Sequence, residues 1–165
     1  MDLRRARAAD VDALVAIHQV ARRTYYGDLP FFYDTELLRE AYTVSVDAPD
    51  RTVLCIDGAE GHPVGFLALG PPIPPAPATT ARLVGLYVDP AHWQRGVGGA
   101  LHDAGVDVWQ AAGVAEGHLE VWDGNERAKA FYLRRGWQPF GEPREGPLGR
   151  DFVHLRLVMP ASTLQ

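Results

Sequence analysis

Helical and alternating rhythms of apolar and polar positions run along the chain, and they predict its elements. Leu3-Arg4-Arg5-Ala6 predicts a short first strand. Asp10 can cap the helix that follows, in which Leu14, Ile17 and Ala21 recur at helical spacing. The aromatic stretch from Tyr25 to Tyr33, interrupted by Gly27 and Pro30, reads as a loop. Asp34 or Thr35 then caps a second helix carrying Leu37, Leu38, Ala41 and Tyr42. Two β-type runs, Thr52 to Asp57 and Val64 to Leu69, enclose the turn residues Asp57-Gly58-Ala59-Glu60-Gly61 and predict a hairpin. The Pro-rich stretch 71–80 disfavours both helix and ladder pairing and reads as a surface connection.

The second half continues with a strand over Leu83 to Val88, broken by Asp89-Pro90. Gly98 to Ala112 predicts a helix with Leu101, Ala104, Val108 and Ala112 on one face, ended by Gly113. His118 to Trp122 is a short strand, with Leu119 and Val121 on one side and His118, Glu120 and Trp122 on the other. A helix over Asn125 to Arg135 carries Ala128, Phe131 and Tyr132 on one stripe, stops at Gly136, and gives way to a strand beginning at Trp137. After a Gly/Pro loop from Gly141 to Gly149, Asp151 to Met159 alternates. Val153, Leu155, Leu157 and Met159 share one face of it, and Phe152, His154 and Arg156 the other. The order β-α-α-β-β-β-α-β-α-β-β predicts an α/β (α+β) fold, one sheet flanked by helices. A length of 165 residues, without an internal repeat, favours a single domain over 1–165.

Composition changes this picture little. The formal charge of −5 leaves no overall basic footprint for nucleic acid. No apolar run approaches a membrane span, and the N-terminus shows no signal-peptide pattern, so a cytoplasmic location with no membrane partner is expected. The one cysteine, Cys55, cannot form an internal disulfide and reads as a buried thiol.

The candidate chemistry sits in Leu86-Tyr87-Val88-Asp89-Pro90-Ala91-His92-Trp93-Gln94-Arg95-Gly96-Val97-Gly98-Gly99-Ala100-Leu101: a strand, a break, and glycines opening a helix. Glycines let backbone approach a ligand without Cβ clashes, and the unpaired N–H groups of a helix start attract an anion. Arg95 either adds a cation or points to solvent. A dinucleotide fingerprint fails because the sixth position counted from Gly96 is Leu101, and no Gly-Lys-Ser/Thr is present for a P-loop.

The segment Trp93-Gln94-Arg95-Gly96-Val97-Gly98 resembles the acetyl-CoA loop of the GNAT superfamily of N-acetyltransferases, Gln/Arg-x-x-Gly-x-Gly/Ala, with Trp93 departing at the first position. The resemblance implies that amides of Gln94, Arg95, Gly96, Val97, Gly98 and Gly99 hold a pyrophosphate, and that main-chain groups of Leu86, Tyr87 and Val88 line the pantetheine arm of acetyl-CoA. Leu119 through Trp137 looks like a second segment of the same family, with Asn125 opening a helix and Tyr132 placed before Gly136. By resemblance, Tyr132 protonates the leaving thiolate, Asn125 contacts the cofactor, and Glu120, twelve residues before Tyr132, removes the amine proton. The residues themselves leave other readings open: Asn125 as a helix cap, Tyr132 as core, Glu120 as a carboxylate paired with an arginine, His118 as a rival base. A carboxylate flanked by aromatic surface would act as base through a raised pKa.

The family's loop between its first two helices often borders the acceptor pocket, which makes Tyr25, Tyr26, Phe31 and Phe32 substrate-site candidates. The resemblance further implies a mixed, mostly antiparallel sheet that splays between its fourth and fifth strands, and direct transfer to an amine in a ternary complex. A non-catalytic acyl-CoA sensor and a nucleotide-binding enzyme are the rival functions. The acceptor is a small-molecule or protein amine, and a homodimer is among the expected assemblies. His118-Leu119-Glu120 begins a zinc-deaminase signature that the lone cysteine cannot complete, so no metal is expected.

Overall fold

The computed structural model describes residues 1–28 and 34–160. The strands are β1 (Asp2–Arg5), β2 (Thr52–Asp57), β3 (Pro63–Gly70), β4 (Thr80–Val88), β5 (Glu116–Trp122), β6 (Gln138–Pro139) and β7 (Phe152–Val158). The helices are α1 (Val11–Tyr26), α2 (Thr35–Asp47), α3 (Val97–Ala111) and α4 (Glu126–Arg134). The seven strands form one sheet in the order β1-β2-β3-β4-β5-β7-β6. The pairing of β4 with β5 is parallel, whereas β1–β2, β2–β3, β5–β7 and β6–β7 are antiparallel. This is the mixed, mostly antiparallel α/β architecture expected. Among the described residues, no helix is long and apolar enough to cross a membrane.

The chain divides into two compact units, Met1–Gly70 with Gly85–Asp107, and Pro71–Val84 with the residues from Val108 onward. The first unit packs α1 and α2 on β2 and β3. Val11, Leu14, Val15 and Ile17 meet Tyr42, Val53, Cys55, Phe66 and Ala68 in one apolar cluster. Cys55 is buried there, and burial pushes its thiol up to about 11. Asp34 caps α2 as expected, its carboxylate accepting from the Leu37 amide at 3.0 Å.

Asp10 departs from expectation. It precedes α1, but its side chain makes no cap bond into that helix. It accepts instead from the Arg7 amide at 2.7 Å and from both terminal nitrogens of Arg4, at 2.8 and 2.9 Å. The same guanidinium donates to both oxygens of Asp57, at 2.7 and 2.9 Å. Arg4 thereby joins β1, the end of β2 and the entry to α1 through two forked carboxylate pairs, the geometry in which arginine bonds are strong. Its hydrogen bonds, with that from the Arg7 amide, hold the Asp10 carboxyl below the usual range.

In the same unit α3 lies close over β3. A Cβ on Gly65 would stand 2.9 Å from Val97 and 3.2 Å from Leu101, and one on Gly105 would stand 2.5 Å from Leu67. The buried face of α3 therefore runs through Val97, Leu101, Gly105 and Trp109. This corrects the predicted face: Ala104 and Val108 are only half-buried and Ala112 is exposed. The helix also starts one residue early, at Val97, and Gly113 ends it at a φ of 72°.

In the second unit, Leu119, Val121 and Leu155 are buried as alternation requires. Trp137, predicted to begin a strand, instead precedes the two-residue β6 and is 2% exposed. It packs against Trp109 and Tyr132 at ring separations of 6.2 and 5.6 Å. Trp109 lies over Gly117 of β5, where a Cβ would sit 2.2 Å from its ring.

Two stability predictions follow from this packing. Gly117→Ala should cost about 1–3 kcal/mol by overpacking, read as a lower urea midpoint with an unchanged slope. The second concerns His18, 5% exposed on α1 and hydrogen-bonded through Nδ1 to the Tyr42 hydroxyl at 2.6 Å. Burial lowers its pKa from 6.5 to about 3, so the unfolded chain takes up a proton that the folded chain refuses. The stability this gives is fully present above the unfolded pKa and is lost as pH falls from 6.5 toward 3. At pH 5 the loss should reach about 2 kcal/mol relative to neutral pH, and His18→Phe should flatten that slope in denaturation series at the two pH values.

Candidate active site

The first unit contributes a strand end, a turn and a helix start. At the end of β4, Val88 is buried, and the Asp89 amide donates to the Val64 carbonyl at 2.9 Å. Asp89 also accepts from the Ala91 amide at 2.9 Å, opening a single 3₁₀ turn over Pro90–His92. Trp93, the residue at odds with the glycine-loop pattern, donates its indole N–H to the Val88 carbonyl at 2.9 Å. The substitution thus ties the loop back to the strand that precedes it.

The chain then reverses through two left-handed residues, Gln94 at φ 60° and Gly96 at φ 82°. For Gln94 this conformation is costly, and such strain persists only where the surroundings enforce it. A Cβ on Gly96 would meet nothing within 4 Å, so the glycine serves the backbone angle and leaves open space beside the turn. Gln94, Arg95 and Gly96 are exposed, and Val97 is buried. The Gly96 carbonyl accepts from the Ala100 amide at 3.0 Å. The amides of Val97, Gly98 and Gly99 precede that first donor and have no acceptor within the helix. Unpaired amides at a helix start, with the helix dipole behind them, are the kind of group that attracts an anion.

Tyr87 turns its ring back over Gly85, stacks on His18 at 4.1 Å, and meets Phe66 at 5.5 Å. The Arg22 charge acts on its hydroxyl and on that of Tyr25. Tyr25 and Tyr26, expected in a loop, occupy the last turn of α1. The helix runs on until Gly27, whose φ of 67° ends it. Tyr26 is 6% exposed and is core, whereas Tyr25 is half-buried. Phe31 and Phe32 lie outside the described residues. The arrangement of His18, Arg22, Tyr42 and Tyr87 was not foreseen, because helical spacing alone does not say which strand a helix covers.

The second unit carries Glu120, Asn125 and Tyr132. Asn125 caps α4, its side-chain oxygen accepting from the Ala128 amide at 3.2 Å. Tyr132, on the face of α4 that meets Trp137, is 7% exposed, and its ring also touches Phe131. Its carbonyl accepts from Arg135 and Trp137, closing the helix at Gly136.

Glu120 points from β5 to the face that carries His118 and, across the antiparallel register, His154 of β7. Arg144 donates to both of its oxygens at 3.0 Å, and His154 Nε2 lies 3.0 Å from one of them. Arg144 is held over the Phe152 ring at 4.3 Å and bridged to Phe152 through both backbone groups. The hydrogen bonds from Arg144, then those from His154, pull the Glu120 carboxyl below its usual range. The expectation of a raised pKa at Glu120 is thus corrected: an arginine fork, and not aromatic desolvation, sets its charge. A similar pair stands beside it, His118 Nε2 at 2.6 Å from Glu116.

The ladder between β4 and β5 runs from Thr80↔Glu116 to Arg82↔His118. Among the described residues, no group of three or more His, Cys, Asp or Glu could hold a metal ion.

Known proteins bear on these features. A solved ribosomal-protein-alanine N-acetyltransferase from Brucella melitensis superimposes with a TM-score of 0.80 at 22% identity, covering 96% of this chain and 100% of that one. YncA from Salmonella typhimurium, solved with acetyl-CoA, gives 0.77 at 20% identity over 100% and 97% of the two chains. PaiA N-acetyltransferase from Thermoplasma acidophilum, in complex with coenzyme A, gives 0.74 at 20% identity over 96% and 98%. In sequence, mycothiol acetyltransferase from Beutenbergia cavernae is 42% identical over 62 residues, 38% of this chain and 21% of that relative, so the chain spans about a fifth of its length. Residues 14–137 match the model of the acetyltransferase (GNAT) family, and the chain belongs to that family.

Proposed function

We propose that the protein is an acetyl-CoA-dependent N-acetyltransferase that moves an acetyl group to a primary amine by direct transfer in a ternary complex. The observation that carries this reading is the turn from β4 to α3, where left-handed Gln94 and Gly96 lead into the free amides of Val97, Gly98 and Gly99. An anion site made of main-chain N–H groups, with open space beside Gly96, suits a pyrophosphate. Structural neighbours described as complexes with coenzyme A or acetyl-CoA support the same ligand.

The bound thioester would supply the activated acetyl group, and the chain's residues would supply position and protons. Holding both reactants removes much of the encounter entropy. Main-chain groups of Leu86, Tyr87 and Val88 would hold the pantetheine arm, and an N–H near Tyr87 or Val88 would polarise the carbonyl. Asn125 would contact the cofactor as well as cap α4. Tyr132 would give its proton to the departing sulfur. Its burial against Trp137 and Phe131 supports this, because a ring with few alternative positions keeps its hydroxyl in place. An alkyl ammonium, with a pKa near about 10.4, must first lose a proton, and the carboxylate-bearing face of β5 is where that proton would go. Tyr25 borders the acceptor side in this reading.

The test is thiol release from acetyl-CoA against a broad panel of primary amines. Binding without turnover on any amine would mark an acyl-CoA sensor instead. Two variants examine the parts. Gly98→Val should place a branched side chain among the helix-start amides and weaken coenzyme A binding by at least about tenfold, while the folded fraction stays high. Unchanged affinity in calorimetry would reduce the glycines to a turn. Tyr132→Phe removes only the hydroxyl, so kcat should fall about 10- to 10⁴-fold with coenzyme A affinity preserved. A variant that loses stability yet keeps kcat would return Tyr132 to the core.

A further inference from the structure

We propose that Arg22, with the hydroxyls of Tyr25 and Tyr87 beside it, binds a carboxylate of the acceptor, which makes the acceptor an amino acid or a similar small amine with an acid group of its own. The inference rests on the acetyl-transfer reading above and narrows its acceptor. His18, Arg22 and Tyr25 lie on α1 at the spacing that puts side chains on one helix face. The Tyr87 ring of β4 stacks on the His18 imidazole at 4.1 Å, with 19° between the planes. The Tyr42 hydroxyl of α2 is 2.6 Å from His18 Nδ1. Phe66 of β3 lies under both, 5.2 Å from the Tyr42 ring and 5.5 Å from that of Tyr87. Burial works against the Arg22 charge, and the groups that then act on it are the phenols of Tyr87, Tyr25, Tyr26 and Tyr42. The Arg22 Cζ stands 6.0 Å from the centre of the Tyr26 ring. All of these residues belong to the first compact unit.

The half-buried members of this cluster are the cation and two phenols, Arg22, Tyr25 and Tyr87, whereas His18, Tyr42 and Phe66 beneath them are buried. A guanidinium carries five N–H donors in a planar fork, so it can keep phenol oxygens on one edge and take both oxygens of a carboxylate on another. Burial pushes the phenols of Tyr25, Tyr42 and Tyr87 up, against the pull of Arg22, so they stay protonated at neutral pH and able to donate. His18 adds a further polar atom. Its side chain is buried, burial lowers its pKa to about 3, and Nε2 has no hydrogen-bond partner among the described residues. With the Tyr42 hydroxyl donating to Nδ1, the neutral ring carries its proton on Nε2. A cation and several neutral donors over an apolar floor suit an anion, because a charge pair is stronger there than in water.

Tyr87 links this cluster to the transfer. Its main chain stands in β4 just before the turn into α3, where the acetyl-transfer reading puts the thioester carbonyl. Successive side chains of a strand point to opposite faces. Val88 faces α3, since a Cβ on Gly65 would meet Val88, Val97 and Leu101 together, while the Tyr87 ring faces α1. An amine at the carbonyl and an acid group at the Tyr87 hydroxyl are thus about one side chain apart, a separation that a small amino acid can bridge. The formal charge of −5 gives the chain as a whole no attraction for an anion, so a preference for acidic acceptors would report on this cluster.

The experiment measures kcat and KM for glycine, L-alanine, L-phenylalanine, β-alanine and γ-aminobutyrate, each beside its carboxamide, at saturating acetyl-CoA. Each pair keeps the carbon skeleton and amine and removes the charge of the acid group. The wild type should use its best acid with a kcat/KM at least about tenfold above that of the matching amide, the worth of a charge-assisted hydrogen bond. Arg22→Gln should raise the KM for that acid about 10- to 100-fold and erase the difference between acid and amide, while the KM for acetyl-CoA holds. Tyr25→Phe should weaken the preference less. Equal kcat/KM for acid and amide in the wild type, or turnover only of amines without an acid group, overturns the proposal and leaves acetyl transfer standing. A preference that survives in Arg22→Gln overturns it as well. No thiol release by the wild type with any amine overturns both readings. Should Arg22→Gln fold poorly, the wild type decides: the desamino analogue of its best acid should inhibit competitively against the amine and the desamino amide should not, and equal inhibition by the two, or none, sinks the idea.

Discussion

Gly65 and Gly105 let α3 and β3 approach until Leu67, Val97 and Leu101 fill the space that two Cβ atoms would need. That close approach fixes the helix axis, and the rest of the candidate site in the first unit depends on it. Val97 is the first residue of α3 and is 2% exposed, so the helix is anchored at its very start. The residues before it, Gln94 to Gly96, are exposed and take the backbone angles the turn requires. An anion site built from amides has no side chain to adjust, and its precision is that of the helix position. Trp93 adds a second restraint by bonding to Val88, so the turn is held at both ends.

Electrostatics is organised by forks. Arg4 grips Asp10 and Asp57, and Arg144 grips Glu120. In each case an arginine with five donors meets a carboxylate that is mostly buried, the combination in which pairing outweighs desolvation best. The two forks differ in use. The first joins three elements of the first unit. The second fixes the charge state of a residue on a face crowded with histidines, where a change of one proton alters the chemistry available.

What the sequence reveals and what it hides follow from range. The glycine turn, the Asn125 cap and the Gly136 stop are local, and each is legible because the backbone problem and its solution lie within a few residues. The hairpin and the β7 alternation are legible for the same reason. The partners of Glu120 lie 24 and 34 residues away, and those of Arg4 include one at 53, so nothing short of strand register could join them. The register Glu120↔His154 is the missing signal. Two misreadings have a different cause. The periodicity misplaces the face of α3 because a glycine does not count as apolar in it, although a Cβ on Gly105 would stand 2.5 Å from Leu67. The neighbouring Gly27 and Pro30 make Tyr25 and Tyr26 read as loop, whereas a helix needs only one left-handed residue to stop and continues until it meets it.

The seat of Trp109 over Gly117 has an evolutionary side. The indole occupies the volume that any side chain at position 117 would claim, and neither residue can change size alone without a period of poorer packing. Relatives on this fold should therefore vary at these two positions together, a smaller residue on the helix accompanying a larger one on the strand. Such a pair would be visible as covariation between positions eight residues apart, and it marks a route by which the end of α3 and β5 can be repacked without passing through an unfolded ancestor.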